Sequence, residues 1–457
     1  MSGKLARPGD RDYQPDQLLY NPRFRDQRPP QAIAYCKSAR DVQACVRFAA
    51  DTGTRMRVRN GGHSYGGWSS GTGLVVDVAG MNKMKVDHKT MTATIESGAV
   101  LAEVYAHLAA RGVSIGGGSC PTVGVTGLTL GGGVGLLTRA YGLTCDQLQS
   151  IEVVTADGRL RTADAHSDAN LFWALRGGGG SFGAVTKLTF RVRPAPMMDT
   201  FSMHWPLSSA TEVLPAWQNW INHAPREMMS TCKLLASTGG SIVEVLSWWI
   251  GSRSPDRSIA ALRKATPAPT SSVHSRADYR STMMNAAGCS PTESAGSCVA
   301  KGWAPENRDP TSAASAIVVA HLPHKAISSL LDALGEVSRL PGPVGGAASF
   351  DAFGGAVADM DSDATAFRWR KGQADIQYSA TWSSARATDT APYDRYVHRL
   401  RETLRPWFGD AAYANYADPS LHQYAKAYWG PNLNRLRRIK RAYDPHNLFS
   451  FPQSVPL

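Results

Sequence analysis

At 457 residues the chain has room for two or three domains with substantial cores, and its 43% hydrophobic content excludes a disordered or fibrous protein. No apolar run approaches membrane-spanning length, so no membrane association is expected. The formal net charge of +12 would suit acidic partners, but the basic residues are scattered apart from Arg435-Leu-Arg-Arg-Ile-Lys-Arg441, and nucleic-acid binding is not expected.

The start, Met1-Ser-Gly-Lys-Leu-Ala-Arg-Pro-Gly-Asp10, lacks an apolar signal core. The expected compartment is therefore the cytoplasm, or the exterior if the N-terminus has been trimmed. Residues 1–28 are polar and contain proline, and they read as a loosely ordered entry segment. Pro29 to Tyr35 reads as a short strand. Ser38 begins a helix through Ala50, with Val42, Cys45, Val46 and Ala49 at helical spacing. Strands follow at Met56–Arg59, Leu74–Val78 and Thr92–Glu96, then a helix from about Leu101 to Ala110. Ile151–Thr155 alternates as a strand and turns at Ala156-Asp-Gly158. Asn170–Leu175 is a short helix. Arg176-Gly-Gly-Gly-Gly-Ser-Phe-Gly183 is a glycine loop, and Thr186–Val192 is a strand that ends before Pro194 and Pro196.

From 197 to 410 the pattern is α+β. Strands are expected at Thr200–Trp205, Ile242–Ile250, Ala316–Ala320 and Ala374–Trp382. Helices are expected at Thr211–His223, Ser258–Lys264, Lys325–Ser338 and Pro392–Phe408. Helices over an antiparallel sheet fit a substrate-covering domain. Residues 265–312, rich in Ser, Pro, Ala and Gly, read as the least regular segment. The tail holds Tyr413-Ala-Asn-Tyr416, a segment from Tyr424 to Gly430, a helix from about Asn432 to Tyr443, and Asp444-Pro-His-Asn-Leu-Phe449.

Two glycine-rich stretches carry the chemistry. Arg57-Val-Arg-Asn-Gly-Gly-His63-Ser-Tyr-Gly-Gly67 follows a predicted strand. Gly116-Gly-Gly-Ser-Cys120-Pro-Thr-Val-Gly-Val-Thr-Gly-Leu-Thr-Leu-Gly-Gly-Gly-Val-Gly135 is the second. Each sets one nucleophile among glycines whose backbone N–H groups can close on an anionic ligand. A His and a Cys presented this way suggest attachment to something large and anionic. Gly131-Gly-Gly-Val-Gly135 has neither dinucleotide-fold nor P-loop spacing. It reads either as a pyrophosphate lining or as a simple tight turn. No CxxC pair exists, so a metal site is not expected.

The two stretches, with the tail, resemble the berberine-bridge-enzyme-like oxidases, a branch of the vanillyl-alcohol-oxidase (PCMH-type) flavoproteins. The resemblance runs from about Pro29 to the C-terminus and is thinnest between about 200 and 340. It implies an α+β fold: a two-subdomain PCMH-type FAD-binding domain over 29–196, a substrate-binding domain over 197–410, and a berberine-bridge-like segment over 411–457 that returns to the FAD domain. It implies FAD held covalently by His63 at the 8α carbon and by Cys120 at C6. The cofactor is then expected against Arg59, Asn60, Gly61, Gly62 and Ser64 of the first stretch. From the second it would meet Gly117, Gly118, Thr122, Val123, Gly124, Gly127, Leu128, Gly131, Gly132 and Gly135. Gly142, Leu143, Val185 and Asn415 complete the expected set. Val123 would go with oxygen access at the flavin face, though a plain core valine fits equally well.

By the same resemblance Tyr416 matches a catalytic tyrosine, with Asp375 as the carboxylate beside it. A hydroxyl that gives up hydride must lose its proton at about the same time, and a carboxylate-assisted phenol can take it. This Asp–Tyr combination is that of the glucooligosaccharide-oxidase-like members. Tyr65, Trp68 and Trp248 could stack on a sugar ring or belong to the core, and the role of Tyr378 is open. If Cys120 holds the flavin, six cysteines remain, and Cys289 and Cys298 are either a disulfide or reduced loop thiols.

The function implied is an FAD oxidase that oxidises a hydroxyl of a carbohydrate or glycosylated compound with molecular oxygen and releases hydrogen peroxide. The alternatives are a tailoring oxidase acting on a bulky natural product, or a dehydrogenase with a different electron acceptor. The sequence leaves the oligomeric state open.

Overall fold

The computed structural model describes residues 2–15, 18–24, 29–342, 344–383 and 389–457. The helix Ala39–Thr52 forms where its amphipathic stripe predicts. Ser38 caps it by accepting from the Asp41 N–H, and Val42, Cys45, Val46 and Ala49 face inward. That stripe packs on a small sheet whose strands run in the order Lys4–Ala6, Ala32–Tyr35, Leu74–Asp77, Met56–Arg59. The last three are mutually parallel, as a helical crossover requires.

A second sheet is antiparallel, in the order Met84–Asp87, Thr92–Glu96, Ala184–Arg191, Leu148–Val154, Leu160–Asp164. The helix Leu101–Ala109 packs into the same core cluster as this sheet. The third sheet has seven antiparallel strands: Ser271–Asp278, Met197–Pro206, Ile242–Trp249, Met228–Ser237, Val344–Ala352, Ala374–Trp382 and Thr311–Val318. Alternation along each strand splits its side chains between two faces. One face is apolar and is covered by helices: Trp217 of the helix Ala210–His223 meets Phe350 edge-on at 6.4 Å, and the Tyr396 hydroxyl of Ala391–Phe408 donates to Leu334 O. The other face looks back toward the glycine-rich stretches.

Three strands of the seven-stranded sheet escape the sequence patterns, as do Met84–Asp87 and Leu160–Asp164 of the second sheet. Val344–Ala352 is a central strand rich in Gly and Ala, with little β propensity of its own. It stands because Met228–Ser237 and Ala374–Trp382 pair with both its edges, and Met228–Ser237 is the second missed strand. Residues 265–312 are more regular than expected. They contain the exposed edge strand Ser271–Asp278, the helices Tyr279–Ala286 and Ala295–Trp303, and a Cys289–Cys298 disulfide. The edge strand alternates no apolar face, so periodicity could not find it.

The N-terminal segment also departs from expectation. Lys4–Ala6 adds a strand to the first sheet, and Arg23 pairs with Asp394 at 2.7 Å while Asn21 donates to the Thr311 carbonyl. It ties the first sheet to the third. Among the described residues no helix is long and apolar enough to cross a membrane.

The tail is locked by a buried ion pair. Lys440 and Asp444 are fully buried and 2.6 Å apart, and Lys440 also donates to the carbonyls of Ser181 and Phe449. Asp444 in turn accepts the N–H groups of Leu448 and Phe449. Lys440→Met would strand the carboxylate, a loss of about 3–5 kcal/mol, read as a lower midpoint in chemical unfolding. An unchanged midpoint would show that the pair contributes no net stability.

Candidate active site

The site begins with a close approach of two backbones. Gly61, just past the strand Met56–Arg59, lies against Gly124 of the second stretch. A Cβ on Gly61 would sit 2.4 Å from the Gly124 nitrogen. Asn60 reinforces the contact by accepting from the Thr126 N–H. The second stretch is held from behind: Gln147 makes two hydrogen bonds to the Gly116 backbone, and the Tyr105 hydroxyl donates to Gly118 O. From the tail, Tyr413 Oη accepts the Gly133 N–H, and Asn415 donates to Leu128 O. These contacts put His63 and Cys120 on the wall of one cavity of about 600 Å³.

His63 is stacked on Tyr20 with ring centroids 3.9 Å apart, and Trp303 stands edge-on to both rings. Thr122 Oγ1 lies 2.7 Å from His63 Nε2, which leaves Nδ1 for a bond to a ligand. Burial, then the charges of Arg59 and Arg308, push the imidazole pKa down to about 3. The ring is therefore neutral and keeps a nucleophilic lone pair at any ordinary pH. Cys120 is open to the cavity yet surrounded by protein, and desolvation raises its thiol pKa.

Of the expected cofactor residues, Asn60, Gly61, Gly62, Ser64, Gly118, Val123, Gly124, Gly127, Leu128, Gly131, Gly135, Val185 and Asn415 line the cavity with His63 and Cys120. Arg59, Gly117, Thr122, Gly132, Gly142 and Leu143 do not line it. Arg59 is paired with Asp77, Thr122 backs His63, Gly117 lies against Gly135, and Leu143 is fully buried. The loop Gly178, Gly179, Gly180 and Gly183 adds another stretch of backbone to the lining. Open space in front of Gly127, Gly179 and Gly180, beside a neutral His and an accessible Cys, fits a large anionic cofactor such as FAD.

The polar face of the seven-stranded sheet lines the same cavity. Thr231 and Lys233, Leu246 and Trp248, Ser349 and Asp351, and Gln377 present side chains from four adjacent strands. Lys233 is held by Glu244 at 2.8 Å. The Tyr416 hydroxyl, from the tail, points at Asp351 Oδ2 at 3.5 Å. Tyr65 stands edge-on to Tyr416 at 5.7 Å, and Gln377 donates to the Tyr65 hydroxyl. Trp68 stacks on Phe451 of the tail, and both line the cavity.

Two expectations are corrected here. The carboxylate that Tyr416 meets is Asp351, not Asp375. The two aspartates are directly opposite in register on neighbouring strands, and only Asp351 reaches the cavity. Tyr378 is no pocket residue: one step along its strand from Gln377, it turns to the helix-covered face and is fully buried. Asp351 escaped notice because its strand did, while Tyr20 lies in a polar terminus and Trp303 in the segment read as irregular.

Electrostatics separate the two roles at the tyrosine. Burial pushes the Asp351 carboxyl up to about 6, against the pull of Lys233 and of the Tyr416 hydroxyl. Burial, then the charge of Asp351, holds the Tyr416 phenol well above its ordinary value. At neutral pH the pair is thus a neutral phenol over an ionised carboxylate, a geometry that can accept one proton from a bound hydroxyl.

Comparison with known proteins agrees with this geometry. The FAD binding domain family matches residues 30–164, and the berberine and berberine-like family matches residues 412–456. The FAD-linked oxidoreductase YgaK of Bacillus subtilis (strain 168), itself uncharacterized, is 31% identical over 100% of this chain and 97% of its own. A glucooligosaccharide oxidase of Sarocladium strictum is 30% identical, covering 93% of this chain and 87% of its own. The structure of Physcomitrella patens BBE-like 1 superposes with a TM-score of 0.90 at 27% identity, covering 100% of this chain and 97% of that one.

The Gly61–Gly124 contact is open to a direct test. Gly61→Ala should force the two loops apart and give folded protein with little FAD absorbance. Full flavin content in that variant would show that the cradle tolerates the separation.

Proposed function

Because the chain belongs to the berberine-bridge-enzyme-like FAD-linked oxidases, we propose that it oxidises a hydroxyl of a carbohydrate or glycosylated compound, with oxygen as acceptor and hydrogen peroxide as product. The observation that carries this reading is the Tyr416 hydroxyl poised 3.5 Å from Asp351 Oδ2, in the cavity that His63 and Cys120 also line. FAD, when bound, supplies the hydride acceptor. His63 and Cys120 would hold it by two covalent bonds, and the neutral state of His63 supports its half of that attachment.

The chain's own groups do the rest. Tyr416 takes the hydroxyl proton of the substrate and passes its phenolic proton to Asp351, so no free phenolate has to persist in a site that disfavours it. Tyr65, fixed by Gln377, braces the Tyr416 ring edge-on. The sheet face mixes one flat indole, Trp248, with hydroxyl, amide and amine groups, a surface suited to a sugar's apolar face and its ring of hydroxyls. The oligosaccharide oxidase among the relatives supports the same substrate class.

The first experiment is the mass of the denatured, intact protein, followed by a peroxide assay on oligosaccharides. A mass gain of one FAD and peroxide from at least one sugar are expected. Flavin that dissociates on denaturation would overturn the covalent links, and silence toward all sugars would overturn the substrate class. Tyr416→Phe and Asp351→Asn should each lower turnover by about 10²–10⁴-fold with flavin retained. The acid limb follows from Asp351. Its folded pKa is raised, so the base is present above about pH 6 and is lost as pH falls through that value. Turnover that stays level down to pH 4 would exclude Asp351 as the base.

A further inference from the structure

Asp375 has no place in the chemistry so far, yet it is a fully buried carboxyl, and neither of its oxygens has a hydrogen-bond partner among the described residues. Its strand neighbours at the same register are Asp351 on one side and Ile317 on the other. Residues directly opposite in an antiparallel pair have Cβ atoms about 4.5–5.5 Å apart, so the two carboxyls share one small volume.

The charged groups around them divide unequally. Asp351 has Lys233 on the adjacent strand, Tyr416 from the tail, and Tyr65 beyond it. Asp375 faces Asp351, and Tyr413 and Tyr416 from the tail, with no cation among them. On the helix side, Arg401 is bonded to the carbonyls of Ser315 and Asp410 and to Glu402. Two buried carboxylates at this separation cannot both ionise cheaply, and the one beside a cation and a donor keeps the charge.

We propose that Asp375 is a proton-bearing positioning residue, a neutral carboxylic acid that presents its dipole and its proton to Asp351 and so keeps Asp351 the single ionised base under Tyr416. The inference rests on the reading of Asp351 as that base. Asp375 keeps its proton through turnover, and the phenolic proton that Tyr416 gives up as it takes the substrate's proton ends on Asp351, so the pair goes from one proton to two and back. Burial and the Asp351 charge raise the Asp375 pKa well above the ordinary carboxyl range, in keeping with this assignment.

The experiment combines pH–rate profiles with difference infrared spectra of the flavin-loaded protein. In Asp375→Asn, which keeps a neutral donor, turnover should fall by about tenfold while the acid limb stays within about half a pH unit of wild type. In Asp375→Leu, which keeps none, the acid limb should rise by about one unit or more. A residue with a merely structural role would leave both limbs in place. The wild-type spectrum at pH 8 should contain a protonated-carboxyl C=O band that Asp375→Asn removes and Asp375→Glu shifts. A downward move of the acid limb by a unit in Asp375→Asn would show that Asp375 carries charge, and would overturn the proposal. So would complete loss of turnover in that variant with flavin retained, an unmoved limb in Asp375→Leu, or a wild-type spectrum without the band. If the Asn and Leu variants fail to fold, the band and its shift in Asp375→Glu decide. If instead Asp351→Asn keeps full turnover, the underlying base assignment fails, while the band still reports whether Asp375 holds a proton.

Discussion

Everything in the site depends on how closely two backbones can approach. At Gly61 and Gly124 a side chain on either residue would strike the other loop. The contact brings the end of the parallel sheet against a loop that precedes the short helix Val125–Leu130, and so places His63 and Cys120 on one wall although they are far apart in sequence. A cradle made of backbone has little side-chain volume of its own. It leaves room for a large ligand, and it must be made rigid from outside. Gln147, Tyr105, Tyr413 and Asn415 do this, each by hydrogen bonds to loop backbone.

The tail therefore has two tasks. Tyr413 and Asn415 brace the cofactor loop, while Tyr416, three residues from Tyr413, enters the reaction space. Its own stability comes from Lys440 and Asp444, a buried pair whose remaining bonds run to backbone groups of the tail and of Ser181. Such a pair is costly to desolvate, and the complete set of partners is what makes it tolerable. The N-terminal segment works in a similar way, where Tyr20 covers His63 and Arg23 donates to Ser312 of the third sheet.

The reaction side is governed by low polarity around few charges. The same burial that keeps His63 neutral raises Asp351 into the range where a carboxylate becomes a useful base and keeps Tyr416 protonated at rest. Lys233 tempers this from the neighbouring strand. The sheet's polar face thus serves both as a binding surface and as the source of the base, and the register between Val344–Ala352 and Ala374–Trp382 decides which carboxylate faces the tyrosine.

By itself the sequence determined the local parts. The glycine spacing around His63 and Cys120, the amphipathic helix from Ala39, the alternating strands and the closing tail motif are all short-range patterns, and each formed close to where it was read. It also determined the family, since both anchor motifs and the tail occur in order. Tertiary structure alone decided three things. Val344–Ala352 is a strand only because two others pair with it, so its Gly- and Ala-rich pattern concealed Asp351. Tyr378 and Gln377 differ by one residue, and only the docking of helices on one face tells which of them meets the cavity. Tyr20 and Trp303 reach His63 from segments without periodicity, carried there by packing. Propensity and periodicity are properties of neighbours along the chain, whereas register, facing and cross-domain contact are properties of neighbours in space.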